Sequence, residues 1–214
     1  FEKTDLPDSF FDAAVGNVPF GNYKVSDRRY DKLGFSIHNY FFAKTLDKVR
    51  PGGIVAFVTS RYTLDAKNPA ARRYLAQRAD LLGAVRLPSS AFQANAGTKV
   101  VTDILFLQKR EKLSLEEPAW VHLGQTTDGF AVNQYFLDHP DMMLGVPSAE
   151  NTQYGREDFT LLPMEGADLG EQLAAAVQNI QGFITEREID DPEAEEIDRS
   201  IPADPTVRNF SFTE

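Results

Sequence analysis

An α/β fold is predicted for the first half of this 214-residue chain. Three observations predict it. A short, continuously apolar run such as Ile54–Thr59 has the character of a strand covered on both faces of its sheet. Segments with helical spacing of apolar residues alternate with such runs. Gly and Pro punctuate the junctions, as at Pro51-Gly52-Gly53.

The elements follow in order. Phe11–Gly16 reads as a buried strand. It delivers Asn17, Val18, Pro19 and Phe20 into a tight loop at its carboxyl end, where open α/β sheets place ligand chemistry. Lys24–Lys32 is a polar loop with four cations, Lys24, Arg28, Arg29 and Lys32. Ser36–Val49 reads as a helix with Ser36 as its N-cap. Ile37, Tyr40, Phe41, Leu46 and Val49 can share its apolar side, and Pro51-Gly52-Gly53 is expected to stop it. Ile54–Thr59 is the second strand. Ala70–Gln77 is a short Arg-rich helix, with Arg72, Arg73 and Arg78 expected on a solvated face. Leu81–Leu87 and Ile104–Leu107 are two further strands, joined by a loop from Pro88 to Thr102. They close the sheet as an antiparallel hairpin.

Beyond the charged connector Glu111–Pro118 the pattern weakens. Trp120–Leu123 is read as a possible strand and Val132–Leu137 as a short helix. Asp141–Pro163 is expected to be irregular. Ala167–Ile184 is an amphipathic helix, because Leu169, Leu173, Val177, Ile180 and Ile184 follow the helical period. Glu186–Arg199 is strongly acidic and contains Pro192, the composition of a solvated or disordered tail. Three regions result: 1–118, a mostly helical or irregular extension over 119–185, and a tail over 186–214.

Composition narrows the chemistry. The chain has no Cys, which excludes disulfides, thiolate zinc sites and a Cys nucleophile. His38, His122 and His139 have no metal-ligand spacing. No apolar run approaches the ~20 residues of a membrane helix, and Phe1-Glu2-Lys3 opens no signal-peptide pattern. A cytoplasmic protein is expected. The net charge of −10 is divided unevenly. Residues 1–110 carry 17 Lys and Arg against 10 Asp and Glu, whereas the remainder carries 5 against 22. A basic first half points to an anionic partner, and nucleic acid is the leading candidate.

Several segments, in this order, resemble one family. GNVPFGN resembles the target-amine loop of amino-group methyltransferases, Asn-Pro-Pro-Tyr/Phe, with Val18 in place of the first Pro. FSIHNYFFAKTLDKVRPGG and IVAFVTS resemble the helix and strand that follow. AGTKVVTDILFLQK resembles the last strand of adenine-N6 DNA methyltransferases of the type I restriction-modification kind. VNQYFLDHPDMMLG and YGREDFTLL are similar to stretches of methylase-helicase proteins of phages and mobile elements. The resemblance implies a Rossmann-like methyltransferase sheet, of which this chain holds the second half.

The same resemblance implies roles. The Asn17 side-chain oxygen and the Val18 carbonyl would accept the two N–H hydrogens of an adenine amine. Pro19 would hold residue 18 extended, and Phe20 would stack on a base flipped from the duplex. Asn at position 17 favours adenine over cytosine. Lys24, Arg28, Arg29 and Lys32, just past the loop, would contact DNA phosphate. Thr98 and Lys99 precede the last strand, where a structural role is at least as natural. The implied methyl donor is S-adenosylmethionine. Its glycine-rich loop and acidic ribose partner are not among the residues before Asn17, so an N-terminal half or a second chain would supply them. Two alternatives stay open: a methylase acting on RNA or protein glutamine, and a non-enzymatic DNA-binding or assembly module.

The family's sheet sets a spatial expectation. Phe11–Gly16 should neighbour Ile54–Thr59, followed by Ile104–Leu107, with Leu81–Leu87 at the far edge. The free side of Phe11–Gly16 should then be covered by a second copy of the chain or by the extension, with Ala167–Ile184 the candidate cover.

Overall fold

The computed structural model describes residues 1–19, 21, 25–92, 100–151 and 157–184. Its centre is a four-stranded mixed sheet in the order β1-β2-β4-β3. The strands are β1 (Phe11–Asn17), β2 (Val49–Ser60), β3 (Ala79–Leu87) and β4 (Thr102–Lys109). β1 runs parallel to β2, and β4 is antiparallel to both β2 and β3. The fold is α/β, with the expected strand order and closing hairpin.

Helix α1 (Ile37–Lys48) connects β1 to β2, and α2 (Tyr62–Asp65) and α3 (Ala70–Arg78) connect β2 to β3. α1 ends earlier than expected. Pro51-Gly52-Gly53 does not stop it; Val49 is already extended, and the three residues lie inside β2. Gly52 takes a positive φ of 76°. A Cβ on Gly53 would sit 2.7 Å from the Asp12 carbonyl and collide with Val49. The glycines therefore let the chain turn from helix into strand at full contact with β1.

The core lies between the sheet and its helices. Phe42 and Leu46 of α1, Val49 and Val55 of β2, Leu75 of α3 and Leu105 and Leu107 of β4 are almost wholly buried. Each such side chain contributes about 1.5–3 kcal/mol relative to exposure. Trp120, Val121, Phe136, Met142 and Leu144, from beyond the connector, join the same core.

That later region holds more strand than its sequence suggests. A 3₁₀ turn at Ala119–Val121 replaces the strand read at Trp120–Leu123, and β5 (Leu123–Gln125) follows it. β5 pairs with β6 (Ala131–Asn133), which runs into α4 (Gln134–Asp138). Asp141–Pro163 is not irregular, because β7 (Val146–Asn151) and β8 (Glu157–Leu162) form a hairpin within it. The last helix, α5 (Leu169–Gln178), is capped by Asp168, whose side chain accepts from the Glu171 N–H. It is shorter than Ala167–Ile184. The acidic segment 186–214 lies outside the described residues.

β1 departs from expectation in burial. Phe11–Gly16 forms the sheet's outer edge, and Val15 is 82% exposed. Among the described residues the extension packs elsewhere. α5 and the residues after it lie against β3, where the bare Gly83 receives Ile180 and the bare Gly182 of the segment receives Leu82. Among the described residues, no helix is long and apolar enough to cross a membrane.

Candidate functional site

The carboxyl ends of β1 and β2 lie side by side, because the strands are parallel with Asn17 opposite Val58. The Val18 N–H extends that ladder, donating to the Val58 carbonyl at 3.0 Å. The Val18 side chain is 3% exposed and packs into the main core. An apolar side chain at this position thus anchors the loop, a fixing role that Pro would fill through its ring. Pro19 restrains the Val18 backbone to an extended shape.

Asn17 has the opposite environment. It is exposed, and its carboxamide has no hydrogen-bond partner among the described residues. The Val18 carbonyl likewise accepts no bond among them. Two acceptors with no partner among the described residues therefore stand at the end of a strand whose backbone is fixed by the ladder. A cavity of about 420 Å³ adjoins them, running along β1 and walled by Phe1, Leu6, Phe41 and Phe57. Phe20, which should complete the loop, lies outside the described residues.

The cation loop divides. Arg28 and Lys32 are exposed. Arg29 is half-exposed but tethered, with its guanidinium 2.6 Å from Asp8 and 3.0 Å from Asp47. Hydrogen bonds from Lys48 and then Arg29 hold the Asp8 carboxyl below its ordinary range. Lys24 lies outside the described residues, as do Thr98 and Lys99.

Most other cations of the first half are committed within the protein. Lys44 reaches Asp27 at 2.9 Å, and Lys48 reaches Asp8 at 2.6 Å. Arg72 is not on a solvated face. It is 1% exposed and donates to the Val121 and Ala66 carbonyls, and burial lowers its pKa to about 10. Arg73 pairs with Glu117, and Arg78 lies over the Tyr74 ring. Most described cations of the first half are thus engaged within the protein, and Arg28 and Lys32 remain exposed in the loop past Asn17.

A charged network beneath the site was not visible in the sequence. Arg86 of β3 is fully buried and makes two parallel bonds to Asp103 of β4, at 2.7 and 2.8 Å. Its other nitrogen lies 2.8 Å from Asp65 of α2. Arg61 extends the network from Asp65 to Asp158 of β8. Burial opposes the charge on Arg86, but Asp103 and Asp65 keep its pKa above the ordinary value. The available signal was an Arg and an Asp set inside two apolar strands that pair with each other.

β1 ends at Asn17 and leads into Val18-Pro19, and β2 ends at Ser60 and leads into Arg61. Among the described residues, no cluster of three or more His, Asp or Glu could hold a metal ion.

Comparison with known proteins places this site in context. No protein-family model matches the chain. The chain is 35% identical over 120 residues to the defense against restriction protein B of Escherichia phage P1. That match takes in 54% of this chain but 5% of the phage protein, so the chain spans a small part of its relative. Among solved structures, a modification subunit assigned to a type I restriction enzyme of Vibrio vulnificus aligns over 77% of this chain and 40% of its own, with 17% identity and a TM-score of 0.39. A chain from a type I restriction-modification assembly aligns over 84% of this chain and 38% of its own, at 16% identity and a TM-score of 0.41. A Listeria monocytogenes protein assigned to the class I S-adenosylmethionine-dependent methyltransferases aligns over 54% of this chain and 36% of its own, at 17% identity and a TM-score of 0.40.

Proposed function

We propose that this chain is the target-base half of a DNA adenine-N6 methyltransferase. The observation that carries the reading is the pair of acceptors unpartnered among the described residues, the Asn17 carboxamide and the Val18 carbonyl, on a strand end held by the ladder. The similarity to a phage protein named for defence against restriction supports a DNA-modification setting.

The chemistry of the acceptors fits this task. An adenine amine is a poor nucleophile because its lone pair is delocalised into the ring. Accepting both N–H hydrogens favours a pyramidal nitrogen and frees that lone pair. Asn17 takes one hydrogen and Val18 the other. The ladder fixes the backbone of both residues before the base arrives, so the Val18 carbonyl is held in place and the Asn17 side chain has only its own rotamer to settle. Phe20 would stack on the flipped base and hold its plane. S-adenosylmethionine supplies the electrophilic methyl group, held by a cofactor half outside the described residues.

Two measurements test this division. Calorimetric titration of S-adenosylmethionine into the isolated chain is expected to show weak binding or none. Low-micromolar affinity would overturn the assignment of the cofactor site to another half. The second measurement concerns Arg28 and Lys32, which we assign to DNA phosphate. Replacing both with Ala should weaken binding about equally across DNA sequences and flatten the salt dependence by up to about two units of slope. Arg29→Ala should change the slope less, because Asp8 and Asp47 already occupy its charge. An unchanged slope in the double variant would remove Arg28 and Lys32 from the interface.

A further inference from the structure

β1 is one of the two edges of the sheet, and its backbone is only half used. The Val18 N–H turns towards β2, where it meets the Val58 carbonyl. Backbone groups alternate along a strand, so those of Gly16 and Ala14 also face β2. The N–H and C=O groups of Ala13, Val15 and Asn17 therefore point away from the sheet, and β1 pairs with no other strand among the described residues.

Edge strands usually carry a feature that resists pairing, such as a lysine, a proline, a bulge or an inward charge. β1 has its one charge, Asp12, at the same end as its irregularity of register, between Phe11 and Ala13. From Ala13 to Asn17 the residues are Ala, Ala, Val, Gly and Asn, with no such feature. Val15 stands largely in solvent. On the α1 side the cavity of about 420 Å³ runs beside the edge, so Phe1, Leu6 and Phe41 stay open along it. A row of outward backbone donors and acceptors beside an apolar groove is a surface for another strand.

The edge is complementary to a second copy of itself. Set antiparallel about Val15, two copies place Val15 opposite Val15, Ala13 opposite Asn17 and Ala14 opposite Gly16. The outward groups of Val15 then meet their own counterparts in a hydrogen-bonded pair, and those of Ala13 meet those of Asn17. Asp12 falls opposite Val18, so no like charges meet, and the side chains nearest the centre are small. Such a two-fold contact closes at two copies. We propose that β1 is a dimerisation edge, at which two four-stranded sheets join into one. Pairing uses the Asn17 backbone and leaves its carboxamide on the sheet face, so this interface stands apart from the proposed function.

Sedimentation velocity on the full chain, from micromolar to near-millimolar concentration, is expected to show a reversible monomer–dimer equilibrium. Amide hydrogen exchange across the same series should slow at Ala13, Val15 and Asn17 as dimer forms. Ala14, Gly16 and Val18, already bonded to β2, should not change. Val15→Pro removes an N–H aimed at the partner and none from the β2 ladder, and should weaken association about tenfold or more. Val15→Lys is the second variant should the proline disturb folding. Its side chain lies in solvent in the monomer but meets its own copy in the dimer, so it too should weaken association.

A monomer at every concentration would overturn the interface. So would a dimer that both variants leave intact, with exchange at the three amides unchanged, which would place the contact elsewhere. Exchange slowed at those amides only on addition of a cofactor half would give the edge to that partner and not to a second copy. A β1-paired dimer that transfers no methyl group with its cofactor half would sink the proposed function and leave this interface standing.

Discussion

Asn17→Ala is expected to reduce methyl transfer by at least about a hundredfold in the enzyme assembled with its cofactor half. Removing one preorganised partner from a reacting group typically costs a hundredfold to a thousandfold in turnover. The loss should fall on the single-turnover rate and leave DNA affinity largely intact, since the acceptor matters most as the nitrogen becomes pyramidal. The fold should be unaffected. Asn17 is exposed and its side chain bonds to nothing among the described residues, so the stability change should stay within about 0.5 kcal/mol. A single-turnover rate within about tenfold of wild type would remove Asn17 from the chemical step.

Arg86→Met is expected to have the largest effect on stability. Arg86, Asp65 and Asp103 all have fully buried side chains. Removing the cation leaves the buried Asp103 carboxylate without its partner and Asp65 with Arg61 as its remaining cation. Breaking such a pair costs about 3–5 kcal/mol, which urea denaturation would read as a lowered midpoint with a similar slope. The loss should depend on pH. Without the guanidinium, burial raises the Asp103 carboxyl pKa in the folded state further above its unfolded value. The folded variant then binds more protons than the unfolded chain, so its stability falls as pH rises through the carboxylate range and recovers on acidification. A deficit under about 1 kcal/mol at neutral pH would show that the network contributes little.

Much of the fold was legible because its signals are local. Ile54–Thr59 needs both faces covered, and α3 begins and ends within about a residue of its apolar pattern. The strand order followed from the family resemblance, since periodicity alone does not rank strands within a sheet. The failures have physical causes. β7 and β8 were read as irregular because Pro147 and Pro163 resemble breakers. Pro147 in fact lies within β7 opposite Leu161, in a hairpin of only two strands. Phe11–Gly16 was read as buried because Ala13, Ala14 and Val15 are apolar, whereas the strand forms an edge of the sheet with Val15 exposed. Nothing in that run reveals that the segment after α5 packs at Gly83 of β3, the other edge.

The position of Asn17 was legible in sequence: it ends the first strand and is exposed there. The charge of the site was much less legible. Lys44, Lys48, Arg72 and Arg86 look like surface cations in sequence, and each proves to be bound internally. Net charge counts residues, whereas a partner meets only the unpaired ones.

The most direct test is the identity of the methylated product. The enzyme assembled with its cofactor half would be incubated with DNA and isotopically labelled S-adenosylmethionine, and the digested DNA analysed by mass spectrometry. Label in N6-methyldeoxyadenosine, lost in Asn17→Ala, is the expected result. Label in N4-methyldeoxycytidine, or none in DNA while RNA or a protein glutamine is labelled, would contradict the assignment of this chain as the target-base half of a DNA adenine methyltransferase.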